Sequence, residues 1–226
     1  MLELNRIYNM DCMEGMKQFP DKYFELAIVD PPYFKGFGAG DYFKVDKEHP
    51  QYAKNQHWDI GIPDIKYFDE LKRVSEEQII WGINYYNFLP ETTGRIIWDK
   101  QNDNATFSNC EIASCTLIDN VKVARFLWDG FRRCEKTKRF HPTQKPVALY
   151  KWLLKNYARP GDKILDTHMG SGSSIIACID YGFEYIAFEI DKDYFESANE
   201  RIEAHKAQGT IFEKQEEPEA EQGNIV

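Results

Sequence analysis

A continuous apolar run, Leu26-Ala27-Ile28-Val29, leads into Asp30, two prolines and two aromatic residues. Such a run, bounded by residues that break regular structure, is typical of a strand buried on both faces. Because proline has no backbone N–H and a nearly fixed φ, the strand cannot continue through Pro31 and Pro32. The stretch therefore predicts a core strand whose end presents two acceptors, the Asp30 carboxylate and the Pro31 carbonyl, beside aromatic rings.

Further runs of strand length alternate with segments of helical periodicity. The predicted strands cover residues 6–9, 26–29, 78–82, 95–100, 111–117, 121–128, 163–166 and 184–190. The predicted helices cover residues 62–78, 146–157, 174–181 and 193–208. Asp64 and Asp193 are the predicted N-caps of the first and last of these helices. Strands that alternate with helices indicate an α/β fold with a mostly parallel twisted sheet and helices on both faces.

Composition limits the kind of protein. The 226 residues, 42% hydrophobic and 15% aromatic, fit one globular domain. No apolar run is long enough for a secretion signal or a membrane span, so neither is expected. The five cysteines are odd in number and form no Cys-x-x-Cys pair, which predicts reduced thiols in a cytoplasmic protein and no metal site. With a net charge of −9, binding to nucleic acid would require a local basic surface.

The domain organisation follows from the periodicity. Residues 1–208 are predicted to form one domain, and the acidic residues 209–226 are expected to be a disordered tail. Within the domain, residues 34–63 and 129–140 show no clear strand or helix pattern. Because long loops in compact domains are often functional, the first segment is predicted to be a mobile binding loop and the second a basic one.

A glycine-rich turn follows the strand at residues 163–166, with the sequence Asp166-Thr167-His168-Met169-Gly170-Ser171-Gly172-Ser173. Between a strand and a helix, glycines allow close backbone approach and the helix start supplies N–H donors, so the turn predicts a cofactor site. Glu189 lies at the end of the next predicted strand, where its carboxylate can accept both hydroxyls of a ribose. The third glycine of a dinucleotide fingerprint is absent, which argues against a nicotinamide cofactor.

The segment His141-Pro142-Thr143-Gln144-Lys145-Pro146 lies just before a predicted helix. On physical grounds alone, Pro146 at the first helical position and Thr143 nearby would be explained by helix initiation.

Together these three motifs resemble those of the S-adenosylmethionine-dependent DNA amino-methyltransferases, which methylate adenine N6 or cytosine N4. Asp30-Pro31-Pro32-Tyr33 is similar to the catalytic motif, the glycine turn to the cofactor loop, and residues 141–146 to a segment that lines the methionine pocket. Their order along the chain is the circularly permuted one of the β class. The resemblance spans about residues 5–205 and implies a Rossmann-like methyltransferase domain with S-adenosylmethionine as cofactor.

The resemblance also implies roles by position. Asp30 and the Pro31 carbonyl would accept the N–H bonds of the target amine, and Tyr33 would stack on a flipped-out base. The predicted catalytic residues are Asp30, Pro31, Pro32 and Tyr33. The predicted cofactor-binding residues are Asp11, Cys12, His141, Thr143, Gln144, Lys145, Asp166, His168, Gly170, Ser171, Gly172, Ser173, Glu189 and Asp191. The predicted DNA-binding residues are Phe34, Arg132, Arg133, Lys136, Lys138 and Arg139.

Within the cofactor set, the resemblance places Asp11 near the adenine, Asp166 near the amino group and Glu189 near the ribose. It places Thr143 and Lys145 near the methionine carboxylate.

The expected activity is methylation of adenine N6 in DNA, because family members with serine in place of Asp30 more often act on cytosine. Cytosine N4, an RNA or small-molecule substrate, and a DNA-binding regulator without activity remain alternatives. Methylation of a cytosine ring carbon is excluded, since none of the five cysteines follows a proline. The resemblance further implies a cytoplasmic, bacterial or phage-encoded protein with DNA as partner. It leaves open a homodimer and a cognate restriction endonuclease.

Overall fold

The computed structural model describes residues 1–32, 62–86, 92–103, 108–128, 134, 141 and 143–215, with side chains to residue 208. In these ranges, strands form one mixed sheet. The strands are β1 (Arg6–Asn9), β2 (Phe24–Val29), β3 (Ser75–Trp81), β4 (Arg95–Asp99), β5 (Cys110–Cys115), β6 (Val121–Arg125), β7 (Lys163–Asp166) and β8 (Glu184–Glu189). The α-helices are α1 (Cys12–Met16), α2 (Ile65–Val74), α3 (Val147–Tyr157), α4 (Ser173–Tyr181) and α5 (Lys192–Gln215).

The sheet has the order β1-β8-β7-β2-β3-β5-β4-β6. Strand pairing is parallel everywhere except on the two sides of β5, which is antiparallel to both β3 and β4. The predicted mostly parallel sheet is therefore confirmed. Because β5 runs in the opposite direction, its first residues lie at the edge where the parallel strands end.

The core lies on both faces of this sheet. Leu26 and Ile28 of β2 pack on one face with apolar residues of α3 and α4. Ala27 and Val29 pack on the other face with apolar residues of α1 and α2. Both sets of side chains are buried, which explains why the β2 sequence is continuously apolar rather than alternating.

The predicted helix at residues 62–78 is too long. Asp64 is its N-cap as predicted and accepts the Lys66 N–H at 3.4 Å, but α2 ends at Val74. The next residues pair with β2, with Ser75 opposite Phe24, and this pairing overrides the helical periodicity. β3 therefore begins at Ser75, earlier than the predicted strand start at residue 78.

The last helix differs at both ends from its prediction. Asp191, not Asp193, provides the cap, because its Oδ1 accepts the N–H groups of Asp193 at 2.9 Å and Tyr194 at 3.0 Å. α5 runs to Gln215, past the predicted end at residue 208, so part of the segment predicted to be disordered is helical. The rest of that segment lies outside the described residues.

The strand predicted at residues 121–128 ends at Arg125. Most of the predicted loops at residues 34–63 and 129–140 lies outside the described residues. Across the described ranges, no helix combines the length and apolar character needed to cross a membrane.

Candidate active site

A cleft opens at the edge of the sheet where the parallel strands end, the usual ligand position in α/β folds. It encloses about 710 Å³, including its open mouth. The residues that line it are Asp30, Pro31, Pro32, His141, Thr143, Gln144, Lys145, Tyr150, His168, Met169, Gly170, Ser171, Glu189 and Ile190. All three sequence motifs thus contribute to one cleft.

Asp30 stands at the end of β2, with 15% of its side chain exposed. Its Oδ2 accepts a hydrogen bond from Lys145 Nζ. Its Oδ1 is buried and has no hydrogen-bond partner among the described residues. Burial raises the pKa of the Asp30 carboxyl, although the Lys145 ammonium counteracts this in part. The free oxygen is suited to accept a hydrogen from a ligand in the cleft.

The turn after Asp30 is held by Tyr86, which follows β3. Its hydroxyl lies 3.1 Å from the Pro31 carbonyl oxygen and 3.2 Å from that of Trp81, and can donate to either. A carbonyl oxygen has two lone pairs, so Pro31 can still accept one further hydrogen. Tyr33, the predicted stacking partner, lies outside the described residues.

Lys145 differs from the expectation that it binds a ligand carboxylate, because its ammonium is already paired inside the protein. Besides Asp30, its Nζ lies 2.9 Å from Glu111 Oε2, and only 2% of the side chain is exposed. Burial disfavours the ammonium, but the two carboxylates raise the pKa of Lys145, so it stays protonated. Buried carboxylates require such a partner, and this accounts for the arrangement.

The glycine turn is tied to the end of β8. Glu189 accepts the Gly170 N–H at 3.0 Å through Oε2 and the Asp191 N–H at 2.9 Å through Oε1. Gly170 has a φ of +48°, and an added Cβ would lie 3.1 Å from the ring of His141. Burial raises the pKa of Glu189 to about 7. The turn therefore brings the Glu189 carboxylate to the cleft and packs the Gly170 backbone against His141.

Three residues of the turn face away from the cleft. The buried Asp166 accepts the His168 N–H at 3.0 Å and the Ser174 hydroxyl at 2.5 Å. Gly172 has a φ of +72° and faces α5, where an added Cβ would lie 2.9 Å from Ile202. Ser173 accepts from Arg201 at 3.0 Å. These residues shape the turn and are not among the residues that line the cleft.

Asp11 and Cys12 also lie outside the lining. Asp11 Oδ1 accepts the N–H groups of Met13 and Glu14 at 2.7 and 3.3 Å, so it is the N-cap of α1. Cys12 Sγ lies 4.0 Å from His168 Nε2. Burial lowers the pKa of His168 to about 4, which leaves this cleft residue neutral at physiological pH.

The predicted site residues thus fall into three groups. Those that line the cleft are Asp30, Pro31, Pro32, His141, Thr143, Gln144, Lys145, His168, Gly170, Ser171 and Glu189. Those placed elsewhere are Asp11, Cys12, Asp166, Gly172, Ser173 and Asp191. Those outside the described residues are Tyr33, Phe34, Arg132, Arg133, Lys136, Lys138 and Arg139.

Sequence reasoning missed four residues of the site. Tyr150, Met169 and Ile190 line the cleft, and Glu111 pairs with Lys145. Ile190 could have been found, because an apolar residue follows Glu189 directly at a predicted strand end. Among the described residues, no group of three His, Cys, Asp or Glu side chains is arranged to hold a metal ion.

Comparison with known proteins places the chain among related sequences. A family model described as DNA methylase matches residues 97–200, which include the glycine turn and residues 141–146. The type II methyltransferase M.HpaI of Haemophilus parainfluenzae is 24% identical over 88% of this chain and 74% of its own length. M.HinfI of Haemophilus influenzae, also a type II methyltransferase, is 26% identical over 88% of this chain and 68% of its own length. The putative methylase YubD of Escherichia coli is 26% identical over 89% and 91%.

Solved structures share the fold. The complex of M1.HpyAVI with SAM has a TM-score of 0.56 and 21% identity, and covers 87% of this chain and 98% of that one. The cytosine-N4-specific PvuII DNA methyltransferase also has a TM-score of 0.56, with 12% identity and coverage of 89% and 91%.

Proposed function

We propose that the chain, in which residues 97–200 match a DNA methylase family model and which is 24–26% identical to type II methyltransferases, methylates the exocyclic N6 amine of a flipped-out adenine in DNA with S-adenosylmethionine as the methyl donor. The observation that carries the proposal is the Asp30 carboxylate, which has one oxygen without a partner among the described residues and lines the same cleft as Gly170 and Glu189. An acceptor for an amine and a turn for a cofactor are thereby brought together.

The side chains of the cleft suit S-adenosylmethionine, which would supply a methyl group activated by a sulfonium. Glu189 offers carboxylate oxygens for the ribose hydroxyls, and the neighbouring Ile190, 60% exposed, offers an apolar surface for the adenine ring. Gly170 lets the turn pack closely against the His141 ring at one side of the cleft. Thr143 and Gln144, which belong to the segment at residues 141–146, add polar groups to the lining of the cleft.

The reaction needs an acceptor because an adenine amine is a poor nucleophile, with its lone pair delocalised into the ring. Asp30 Oδ1 accepts one N–H and the second lone pair of the Pro31 carbonyl accepts the other, which localises the nitrogen lone pair and orients it. When the nitrogen gains the methyl group it must lose a proton, and Asp30 can receive it. Positioning and electrostatics therefore account for most of the rate, with no covalent enzyme intermediate.

Substrate choice is the finer part of the proposal. Aspartate at position 30 favours adenine over cytosine, on the resemblance stated above. Tyr33 and Phe34 are proposed to contact the flipped base. Five basic residues are proposed to contact DNA phosphates: Arg132, Arg133, Lys136, Lys138 and Arg139. Relatives from Haemophilus and Escherichia support a bacterial or phage-encoded protein of the cytoplasm.

A nucleoside analysis tests the proposal. The protein is incubated with isotopically labelled S-adenosylmethionine and unmethylated DNA, or with RNA of the same sequence, and each product is digested and chromatographed. We expect label in N6-methyldeoxyadenosine from DNA only. Label in N4-methyldeoxycytidine would overturn the choice of base, and label confined to RNA, or in neither, would overturn the DNA substrate.

Cofactor affinity is expected to fall in acid. Glu189 accepts hydroxyl protons best when ionised, and its pKa lies at about 7. Below that pKa the affinity should fall by up to about tenfold per pH unit. Calorimetric titration with S-adenosylhomocysteine between about pH 8 and about pH 6 measures this. Glu189→Gln should bind more weakly at the higher pH and with a flatter pH dependence. Equal slopes for the two proteins would contradict the role of Glu189.

A further inference from the structure

Four side chains of alternating charge form a row that begins in the cleft. Its members are Asp30, Lys145, Glu111 and Lys100. Lys145 Nζ contacts Asp30 Oδ2 on one side and lies 2.9 Å from Glu111 Oε2 on the other. Glu111 Oε1 in turn lies 2.7 Å from Lys100 Nζ. The Glu111 side chain is 19% exposed and is not among the residues that line the cleft. The row therefore starts at Asp30 Oδ2 in the cleft and continues through Lys145 and Glu111 to Lys100.

The topology of the sheet assembles this row. Lys100 directly follows β4, and its N–H donates to Asn109 O at 2.9 Å. Glu111 lies near the start of β5, opposite Trp98 of β4. Since β5 is antiparallel to its neighbours, its start lies at the edge of the sheet where Asp30 follows β2. Four charged residues that are distant in sequence thus meet at one edge of the sheet.

We propose that Glu111 is a positioning residue for Asp30. The Glu111 carboxylate contacts the Lys145 ammonium and helps to fix its position. Lys145 then contacts one oxygen of Asp30, and the other oxygen remains a strong acceptor for the target amine. The geometric part concerns only these side chains, whereas its consequence for methyl transfer rests on the proposed function.

The electrostatic reason is that one ammonium serves two carboxylates. If Lys145 faced Asp30 alone, its full field would act on that carboxylate and make it a weaker acceptor. The negative charge of Glu111 offsets part of this field at Asp30 and raises the pKa of Asp30. Lys100 compensates Glu111, so the four charges balance and the cost of burying them is limited.

Other ionisable groups also act on this row. The Tyr150 hydroxyl and the Asp166 carboxyl interact electrostatically with Lys145. Burial holds the pKa of Tyr150 well above its usual range, so it stays neutral. Burial also raises the pKa of Asp166 to about 7, and the charges of Asp30 and Lys145 act on it as well. The titration of Asp166 is therefore followed separately from that of Asp30 in both proteins.

The direct test follows the titration of Asp30 in Glu111→Gln, which keeps the shape of the side chain and removes its charge. Carboxyl carbons of aspartate are labelled with ¹³C, and the Asp30 signal is identified by its absence in Asp30→Asn. We expect the Asp30 titration to move to lower pH by about one unit. Glu25→Gln is the matched control, because Glu25 lies on β2 and pairs with Lys163 at 2.8 Å. It should leave the Asp30 titration in place.

A kinetic test follows the consequence for methyl transfer. In Glu111→Gln we expect kcat to fall by about tenfold, with the KM for DNA and the affinity for S-adenosylhomocysteine changed by less than about twofold. The acid limb of the pH profile of kcat should move to lower pH. A purely structural role would instead lower thermal stability without moving this limb.

The outcomes separate this inference from the proposed function. An unmoved or upward-moved Asp30 titration in Glu111→Gln overturns the inference, even if the wild type methylates DNA. A wild type that labels no nucleic acid overturns the proposed function, while the ¹³C titration still decides whether Glu111 acts on Asp30.

Discussion

Asp30→Ala is expected to reduce methyl transfer by about a thousandfold or more and to leave cofactor binding largely intact. The substitution removes the carboxylate that accepts the amine N–H, while Glu189 and the Gly170 turn keep their own hydrogen bonds. Asp30→Asn is the shape-matched variant, since it replaces only the charged acceptor. Turnover is measured with labelled S-adenosylmethionine, and binding is measured by calorimetry with S-adenosylhomocysteine.

The Glu25→Gln variant is the control for this prediction as well, because it breaks an ion pair of the same strand without touching the cleft. It should retain nearly full turnover. Turnover of Asp30→Ala within about tenfold of the wild type would remove Asp30 from the mechanism. A parallel loss of S-adenosylhomocysteine binding would assign Asp30 to the cofactor instead of the base.

The convergence of the motifs could be predicted because it depends on parallel strands. Asp30, Asp166 and Glu189 each end or directly follow a strand with a strong apolar run, and these strands, β2, β7 and β8, are neighbours in the sheet. Since parallel strands end at one edge of the sheet, residues in these positions lie near one another regardless of the conformation of the connecting loops. The family resemblance and the α/β fold are confirmed, whereas the role of each site residue stays a prediction.

The role of Glu111 could not be predicted because it depends on the direction of one strand. Residues 111–117 predict a strand, but periodicity does not indicate whether that strand runs with its neighbours or against them. Only the antiparallel pairing of β5 brings Glu111 to the edge of the cleft. The contact of Tyr86 with Pro31 could not be predicted either, because it depends on how the chain turns after β3.

Asp11 and Asp191 illustrate another limit of sequence reasoning. A short acidic residue just before a helix fits both a cofactor contact and an N-cap, because in each case its oxygens accept donors near a helix start. In the structure both residues accept backbone N–H groups as N-caps, at 2.7 to 3.3 Å, and their predicted contacts with the cofactor stay predictions. The predicted end of the helix that follows Asp64 is wrong for a related reason. The pairing of β3 with β2 outweighs the local helical periodicity.

Lys145→Met is expected to lower the free energy of unfolding at neutral pH by about 3–5 kcal/mol. Lys145 is the cation that both Asp30 and Glu111 contact, and its removal leaves Asp30 without its ion-pair partner and Glu111 with Lys100 alone. The fold then carries buried carboxylates that are less well compensated. Urea denaturation at about pH 7 and about pH 5 measures the loss and its dependence on pH.

The sign of that dependence follows from linkage. Without Lys145, the pKa of Asp30 in the folded variant rises further above its unfolded value, so the folded state binds the proton more tightly. Stability that the variant retains in acid is therefore lost as the pH rises through the interval between the two pKa values. We expect the difference in the free energy of unfolding between wild type and variant to be smaller at about pH 5 than at about pH 7.

Lys163→Met provides the matched comparison for Lys145→Met. Lys163 also pairs with a glutamate, Glu25, but this pair is more exposed to solvent. Its loss should cost about 1 kcal/mol or less, with little dependence on pH. Two results would contradict the stabilising role of Lys145 in the buried row of charges. One is a loss of unfolding free energy in Lys145→Met that is no larger than in Lys163→Met. The other is a loss that does not become smaller in acid.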